Sequence, residues 1–338
     1  MGVAIGDIIT HEKLTFDQIH GKIAIDAYNA LYQFLSIIRQ PDGTPLMDSQ
    51  GRVTSHLSGL FYRTCNMLEK GLQPIYVFDG PPSELKRRTL DERKARKQLA
   101  AEEFVAAKEA GKEAEMKIFA QQTTKLTKEM AGEATHLLTL LGVPVIQAKS
   151  EGEAQCSYMC KEGLVDATGS QDYDALLFGT PVLLKNLTIA GRRKLPRKNI
   201  FVEVVPERIE LGPNLQTLGI TQQKLIWIGI LAGTDFNKGI YGIGAKKALK
   251  LVKEFDTFEG ITQKLGKEVD YKPVEELFMN PEVNKVTESD IQFQEPNRDG
   301  LLNYMLERNF TPERVQAALG RAFKEPFGTK QSSLNKWF

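Results

Sequence analysis

The chain has 338 residues, with 44 Lys and Arg against 43 Asp and Glu and a formal net charge of +1. That length can bury a full core, and the near-neutral total leaves a nucleic-acid partner to be judged from where the charges lie. Three cysteines do not make a disulfide framework, no long uncharged apolar run predicts a membrane span, and the first residues lack the pattern of a secretory leader.

Gly21–Ala30 reads GKIAIDAYNA. Ile23–Ile25 is predicted as a short strand ending at Asp26, and AYNALYQFLSII continues as a helix by its apolar spacing. An acid at the carboxyl end of such a strand stands where α/β folds hold ligands. The polar stretch 39–52 reads as a loop, a second helix begins near Thr54, and the strand Ile75–Phe78 again ends in an acid, Asp79.

From Lys86 the composition changes. KRRTLDERKARK holds Lys86, Arg87, Arg88, Arg93, Lys94, Arg96 and Lys97 against Asp91 and Glu92, and residues 98–131 are rich in Ala, Glu, Lys and Gln. Strong helix propensity with a weak apolar face predicts helical excursions over 84–131, either solvated or lying over an opening.

A helix over 132–141 leads to the strand Val143–Gln147. SEGEAQ follows, with Ser150 as the expected cap and Glu151 and Glu153 in the first turns of the next helix. Cys156 and Cys160 on that helix are expected to be core thiols. A strand over Val165–Gly169 precedes Asp172 and Asp174 within Ser170–Leu177, and Pro181–Leu184 reads as extended. Carboxylates held beside apolar runs repel one another unless a cation cancels their charge. Oxygen ligands suit magnesium or manganese better than zinc, and two acidic pairs suggest two ions and phosphodiester chemistry.

Residues 185–202 carry Lys185, Arg192, Arg193, Lys194, Arg197 and Lys198 with no acid between them, a basic hairpin or loop suited to phosphate. Val204–Leu211 reads as a link. The apolar helix 221–232 leads through Asp235 to a turn with Gly239, Gly242 and Gly244, followed by Lys246, Lys247 and Lys250. A glycine turn that opens a helix exposes N–H groups to phosphate, or is simply a packing device. Residues 256–313 read as small helices with no identifiable chemistry. Near the end, Gln331, Leu334, Trp337 and Phe338 recur at helical spacing. Two aromatics at a free end predict a docking pocket on a partner.

IDAYNALYQF, YVFDG, SEGEAQ, GSQDYDALLF, LAGTDFN and GIYGIG stand in the order and about the spacing of the flap structure-specific endonucleases. The chain resembles that family, the archaeal type in particular, over essentially its whole length. The resemblance implies an α/β fold with a central, largely parallel sheet flanked by helices. It implies a helical arch at about 84–131 and a DNA-binding helix–two-turn–helix element at about 226–251. These would form a single nuclease domain over 1–328, followed by a flexible tail over 329–338.

The activity implied is structure-specific 5′ flap cleavage of DNA, with 5′–3′ exonuclease activity, in replication and repair. Asp26, Asp79, Glu151 and Glu153 would serve one Mg2+, and Asp172, Asp174 and Asp235 a second, with Mn2+ as a substitute. Lys86 and Arg93 would meet the scissile phosphate, and Tyr32 would stack on the adjacent base. Gly2 would lie near the site, and the glycine turn would hold K+ and duplex phosphates. QSSLNKWF is similar to a motif for a ring-shaped sliding clamp of the PCNA type, with Trp337 where Phe is commoner. A monomer in the archaeal cytoplasm, associated with the nucleoid, is expected. The rival expectations are an exonuclease or a bubble- or junction-cutting relative, a magnesium phosphatase, and a non-catalytic adaptor that holds branched DNA on a clamp.

Overall fold

The structure, a computed structural model, describes residues 2–40, 43–109, 119, 125–188, 191–194 and 201–323. The strands are β1 (Glu12–Lys13), β2 (Lys22–Asp26), β3 (Gln73–Phe78), β4 (Val145–Gln147), β5 (Ala167–Gly169), β6 (Val182–Lys185), β7 (Gly191–Lys194), β8 (Phe201–Val204) and β9 (Glu207–Glu210). Among the described residues the main sheet has seven strands, in the order β1-β9-β6-β5-β2-β3-β4. Strands β4, β3, β2, β5 and β6 run parallel, and β9 and β1 are added by antiparallel pairing. β7 and β8 form a separate antiparallel hairpin.

Alternate residues of the central strands serve different layers, as the pleat requires. Ile23 and Ile25 of β2, with Tyr76 and Phe78 of β3, face α1 (Ala27–Ile37), α2 (Ser55–Glu69) and the helix called α4 below. Ala24, Ile75 and Val77 face the opposite layer, where Cys156, Met159 and Cys160 pack. The expected placement of both thiols in a helix core holds: they are buried. After β3, a single 3-10 turn (Glu84–Lys86) leads into α3 (Arg87–Glu109), a 23-residue helix. Of the helical excursion expected over 84–131, the stretch Arg87–Glu109 is helical. α4 (Lys128–Leu140) begins four residues before the predicted start, because Ala131 and Ala134 are buried against the core, so the excursion ends before it.

α5 (Gly152–Lys161) and α6 (Asp174–Leu177) lie on the other side of the sheet. They are followed by α7 (Leu211–Leu218), α8 (Gln222–Ala232), α9 (Ala245–Glu254), α10 (Phe258–Leu265) and α11 (Lys272–Met279), which build a second core around Leu177, Ile226, Ile228 and Val252. α12 (Arg298–Leu306) and α13 (Pro312–Ala322) return to the first core, α12 against α4 and α13 against α2.

Three readings change. Val204–Leu211 is not a link: it contains β9, which pairs with β6 and carries the short β1 on its far edge. Lys185 belongs to β6, where it is buried with its ammonium 3.3 Å from the centroid of the Tyr173 ring, and is not part of the basic hairpin. Ser150 does not cap α5; Glu151 holds that position.

Candidate active site

Strand order reverses around β2, with β3 and β4 built outward on one side and β5 and β6 on the other. The segment after β2 enters the first core and the segment after β5 enters the second. That divergence leaves a crevice at the carboxyl ends of the strands. Asp26 ends β2, Asp79 follows β3, and Asp172 and Asp174 follow β5.

Each acid is held by local structure. Asp26 caps α1, its Oδ1 accepting from the Asn29 amide at 2.9 Å. Asn29 then turns its side-chain amide to Asp172 Oδ2 at 3.0 Å, tying the two strand ends together. Asp79 Oδ1 accepts from the Gly152 amide at 2.7 Å, so an acid from another strand satisfies the open end of α5. A Cβ at Gly152 would stand 2.6 Å from that oxygen, so the close approach requires glycine. Glu151 is thereby released from capping; its Oε2 accepts from Lys86 Nζ, and its buried Oε1 has no partner. Glu153 accepts from Ser170 Oγ at 2.6 Å. The Val3 amide donates to Asp174 at 3.2 and 3.3 Å to its two oxygens. Arg93 Nη2 meets both oxygens of Asp235.

The resulting electrostatics are unfavourable for so many anions. Burial, then the neighbouring Asp79, holds the Asp26 carboxyl well above the usual range. Burial and then Asp174 do the same to Glu153. Asp174 is pushed up to about 7 by burial and by Asp235 and Asp172. Asp79 is pushed up to about 6: burial and Glu151 outweigh the opposing effects of Lys86 and the Gly152 amide. Burial works against the Lys86 ammonium, but Glu151 and Asp79 more than offset it and raise its pKa.

Among the described residues no three acids, histidines or cysteines close into a metal-binding cluster. Mutual repulsion favours separation, and Lys86 and Arg93 are drawn in as internal counter-charges on Glu151 and Asp235. The donor set nevertheless fits hard divalent cations: its acidic groups supply oxygen only, one buried oxygen is orphaned, and several carboxyls are held protonatable for want of positive charge.

Tyr32 lies on α1, partly exposed, with Lys97 of α3 at 4.8 Å from its ring centroid. Gly2 adopts φ +88, and a Cβ there would come within 2.3 Å of Asp174 Oδ2, so the chain start lies against the acids. The glycine turn joins α8 to α9. Gly242 and Gly244 border open space, and Lys247 Nζ donates to the Gly242 carbonyl at 2.8 Å. Lys246 sits 3.5 Å from Asp7. Gly239 instead faces inward, where a Cβ would meet Gly233 N at 2.4 Å, so this glycine serves the packing of the turn. Arg192, Arg193 and Lys194 lie on β7, away from the main sheet. Gln331, Leu334, Trp337 and Phe338 lie outside the described residues.

Sequence reasoning missed Asn29, which links Asp26 to Asp172, and Ser170, which serves both Glu153 and the Asp172 amide. Asn29 had one local signal, its position three residues after a strand-end acid. Ser170 had none beyond standing two residues before Asp172.

The XPG N-terminal domain family matches residues 9–100 and the XPG I-region family matches residues 142–235. Flap endonuclease 1 of Thermococcus onnurineus is 48% identical over 341 residues, covering 100% of this chain and 99% of that protein. Flap endonuclease 1 of Pyrococcus furiosus is likewise 48% identical, with the same coverage. Among solved structures, flap endonuclease-1 from Methanococcus jannaschii superposes with a TM-score of 0.73 at 36% identity, over 96% of this chain and 98% of that one. The catalytic core of Rad2 in complex with DNA substrate superposes with a TM-score of 0.70 at 24% identity, a likeness of fold. The chain belongs to the XPG/5′-nuclease superfamily, among the flap endonucleases of archaeal type.

Proposed function

We propose that the chain is a structure-specific DNA hydrolase that cuts 5′ flaps, with 5′–3′ exonuclease activity, in replication and repair. The observation that carries this reading is the set of acids at the carboxyl ends of parallel strands and the start of α5, joined by Asp235 after α8, with Lys86 and Arg93 drawn against Glu151 and Asp235.

Asp26, Asp79, Glu151 and Glu153 would hold one Mg2+, and Asp172, Asp174 and Asp235 a second, with Mn2+ able to replace either. The chemistry supplied by the bound ions is generation of the water nucleophile and stabilisation of charge on the departing 3′-oxygen. Lys86 and Arg93, paired in this structure with Glu151 and Asp235, would turn to the scissile phosphate once those acids hold their ions. Their fixed charge then acts where negative charge grows in the transition state. Tyr32 stacks on the base beside the cut, offsetting part of the unpairing cost.

The rest of the chain positions DNA. The arm at about 84–131 forms the arch. The α8–α9 pair is the helix–two-turn–helix element, with Gly242, Gly244, Lys246 and Lys247 toward duplex phosphates and K+ on carbonyls of the turn. Gly239 shapes that turn from within. Arg192, Arg193 and Lys194 add a phosphate contact, and Gly2 lies beside the reacting strand. Residues 1–328 act as one domain and 329–338 as a tail for a PCNA-type sliding clamp. The protein works as a monomer in the archaeal cytoplasm, on the nucleoid.

The test is cleavage of labelled flap, nicked and single-stranded DNA with and without Mg2+, alongside Asp174→Ala. The parent should cut flaps in preference to single strands and only with the metal. The variant should bind flaps but lose roughly a thousandfold or more in single-turnover rate. Cleavage by Asp174→Ala within about tenfold of the parent would overturn the assignment of this acid.

A further inference from the structure

The extended segment between α11 and α12 has no place in the chemistry described so far. It crosses the free edge of β4, the outermost strand of the parallel series. Val286 and Ile291 pack against the layer that contains Cys156 and Met159. Two surface ion pairs fasten its flanks, Lys149 to Glu282 at 3.2 Å and Lys22 to Glu288 at 2.6 Å.

At Asn284 this segment grips α5, which carries Glu151 and Glu153, and β4, whose Gln147 is bonded to the chain at Asp79. The first grip is on α5. Gln155 is fully buried, one helical step beyond Glu151 and two residues from Glu153. Its Oε1 accepts from the Asn284 amide at 2.8 Å, and its Nε2 donates to the Asn284 carbonyl at 2.9 Å. A buried primary amide is costly unless both ends are paired, and here the pairing is with one main-chain residue of the segment. The second grip is on β4. Asn284 Nδ2 donates to the Gln147 carbonyl at 2.9 Å. Gln147 in turn extends its own side-chain amide to the carbonyls of Phe78 and Asp79, at 3.1 and 2.7 Å.

The two grips meet again at the acids. The Gly80 amide donates to the Ser150 carbonyl at 2.6 Å, and the Gly152 amide to Asp79 Oδ1 at 2.7 Å. A closed circuit therefore runs from Asn284 through Gln155 to the start of α5, across to Asp79, and back through Gln147. No link passes through Lys86 or any DNA-facing group. Groups behind a metal ligand orient it, and losing one typically costs about 10- to 100-fold in metal affinity or activity.

We propose that segment 281–291 is a brace for the acidic site, with Gln155 and Asn284 its positioning residues. The brace fixes the spacing of Asp79 against Glu151 and Glu153, and so the affinity of that carboxylate group for a divalent ion. This rests on the functional reading above only for which ion matters; the positioning itself is a property of the apo protein.

The test uses the full chain, with Mn2+ as the probe. Binding of Mn2+ without DNA is read from the paramagnetic resonance of the free ion. Hydrogen exchange is read at the Gly80 and Gly152 amides, single-turnover cleavage in Mg2+, and flap affinity in Ca2+. Gln155→Met keeps the volume and removes both bonds. It should lower Mn2+ affinity and cleavage rate about 10- to 100-fold and leave flap affinity within about twofold. Both amides should exchange faster. Asn284→Ala alters an exposed side chain, which leaves the buried interior unchanged, and should give a smaller loss of the same kind. Glu282→Gln releases only a surface pair and should change none of these. If both brace variants keep the parent's Mn2+ affinity and amide protection, the segment is only packing and the proposal fails. A parent that binds Mn2+ but does not cut flaps would overturn the functional reading and leave the brace standing.

Discussion

Arg93 reaches across 142 residues of sequence to set one Nη2 against both oxygens of Asp235, at 2.5 and 2.6 Å. The preceding residue, Glu92, pairs with Lys238 at 3.0 Å. The base of α3 is thus latched to the segment between α8 and the glycine turn, and Lys86 is latched to Glu151 at the start of α5. The cations sit on the acids they would have to leave when metal and DNA arrive. Both pairs are mostly buried, so each opens only when another charge takes the place of the partner that leaves.

Replacing Lys86 or Arg93 with Ala should therefore slow chemistry more than it weakens binding. Single-turnover cleavage of a flap should fall roughly 100-fold or more, the scale for removing one preorganised charge from a transition state. The dissociation constant for the same flap in Ca2+ should rise only a few-fold. A large rise in dissociation constant with an unchanged rate would instead assign these side chains to the DNA backbone track.

Gly2 is expected to be intolerant of any side chain. Its φ of +88 is costly for an L residue, and a Cβ would enter the space of Asp174 Oδ2. Gly2→Ala should displace Val3 from Asp174 and misplace that acid, costing up to about 100-fold in single-turnover rate with flap affinity retained. A rate equal to the parent's would show that the chain start does not shape the site.

The acids also predict how stability changes with pH. Burial and neighbouring acids push Asp79 up to about 6 and Asp174 up to about 7, above the usual carboxylate range, and raise Asp26 and Glu153 as well. At these four acids the folded chain binds more protons than the unfolded chain. Their contribution to stability is therefore fully present below the unfolded carboxyl range and is lost as pH rises through about 4 to 7. Thermal unfolding in a chelator should show a melting temperature that declines over that interval. Saturating Mg2+ should flatten the decline, because the ion replaces the protons. A melting temperature that rises over the same interval in chelator would contradict the assigned electrostatics.

Trp337 and Phe338 are expected to bind a sliding clamp, with Gln331 and Leu334 at the spacing of one helical face. Replacing both aromatics with Ala should abolish calorimetric binding to the host's clamp and clamp-stimulated cleavage, since two buried aromatics carry several kcal/mol, roughly 3 to 6. Basal cleavage should stay near the parent's, because none of the acids lies there. Loss of basal activity would mean that the tail packs on its own domain.

Asp26 and Asp79 were legible in the sequence because their signal is local: a short apolar strand, an acid at its end, then a helix or turn. Glu151, Glu153, Asp172 and Asp174 were legible as acids abutting apolar runs, where unpaired charge is costly. The helices α1, α2 and α8 followed from apolar spacing within one segment. None of this needed a contact between distant residues. β9 escaped because Glu207, Arg208 and Glu210 surround one fully buried residue, Ile209, so its alternation is too short to read without its partner β6. Lys185 read as part of a basic run, yet β6 runs one residue past the predicted extended stretch to include it and draws its stem into the interior. The cap of α5 was misread because the capping oxygen comes from Asp79, 73 residues away, and not from the neighbouring Ser150. Asn29 and Gln155 became visible only when opposite strand ends and a remote segment met. Sequence alone determined which residues carry charge at the ends of which elements. Tertiary structure decided which charges face one another and what holds them there, because those bonds join residues far apart in sequence and leave no periodicity in the chain.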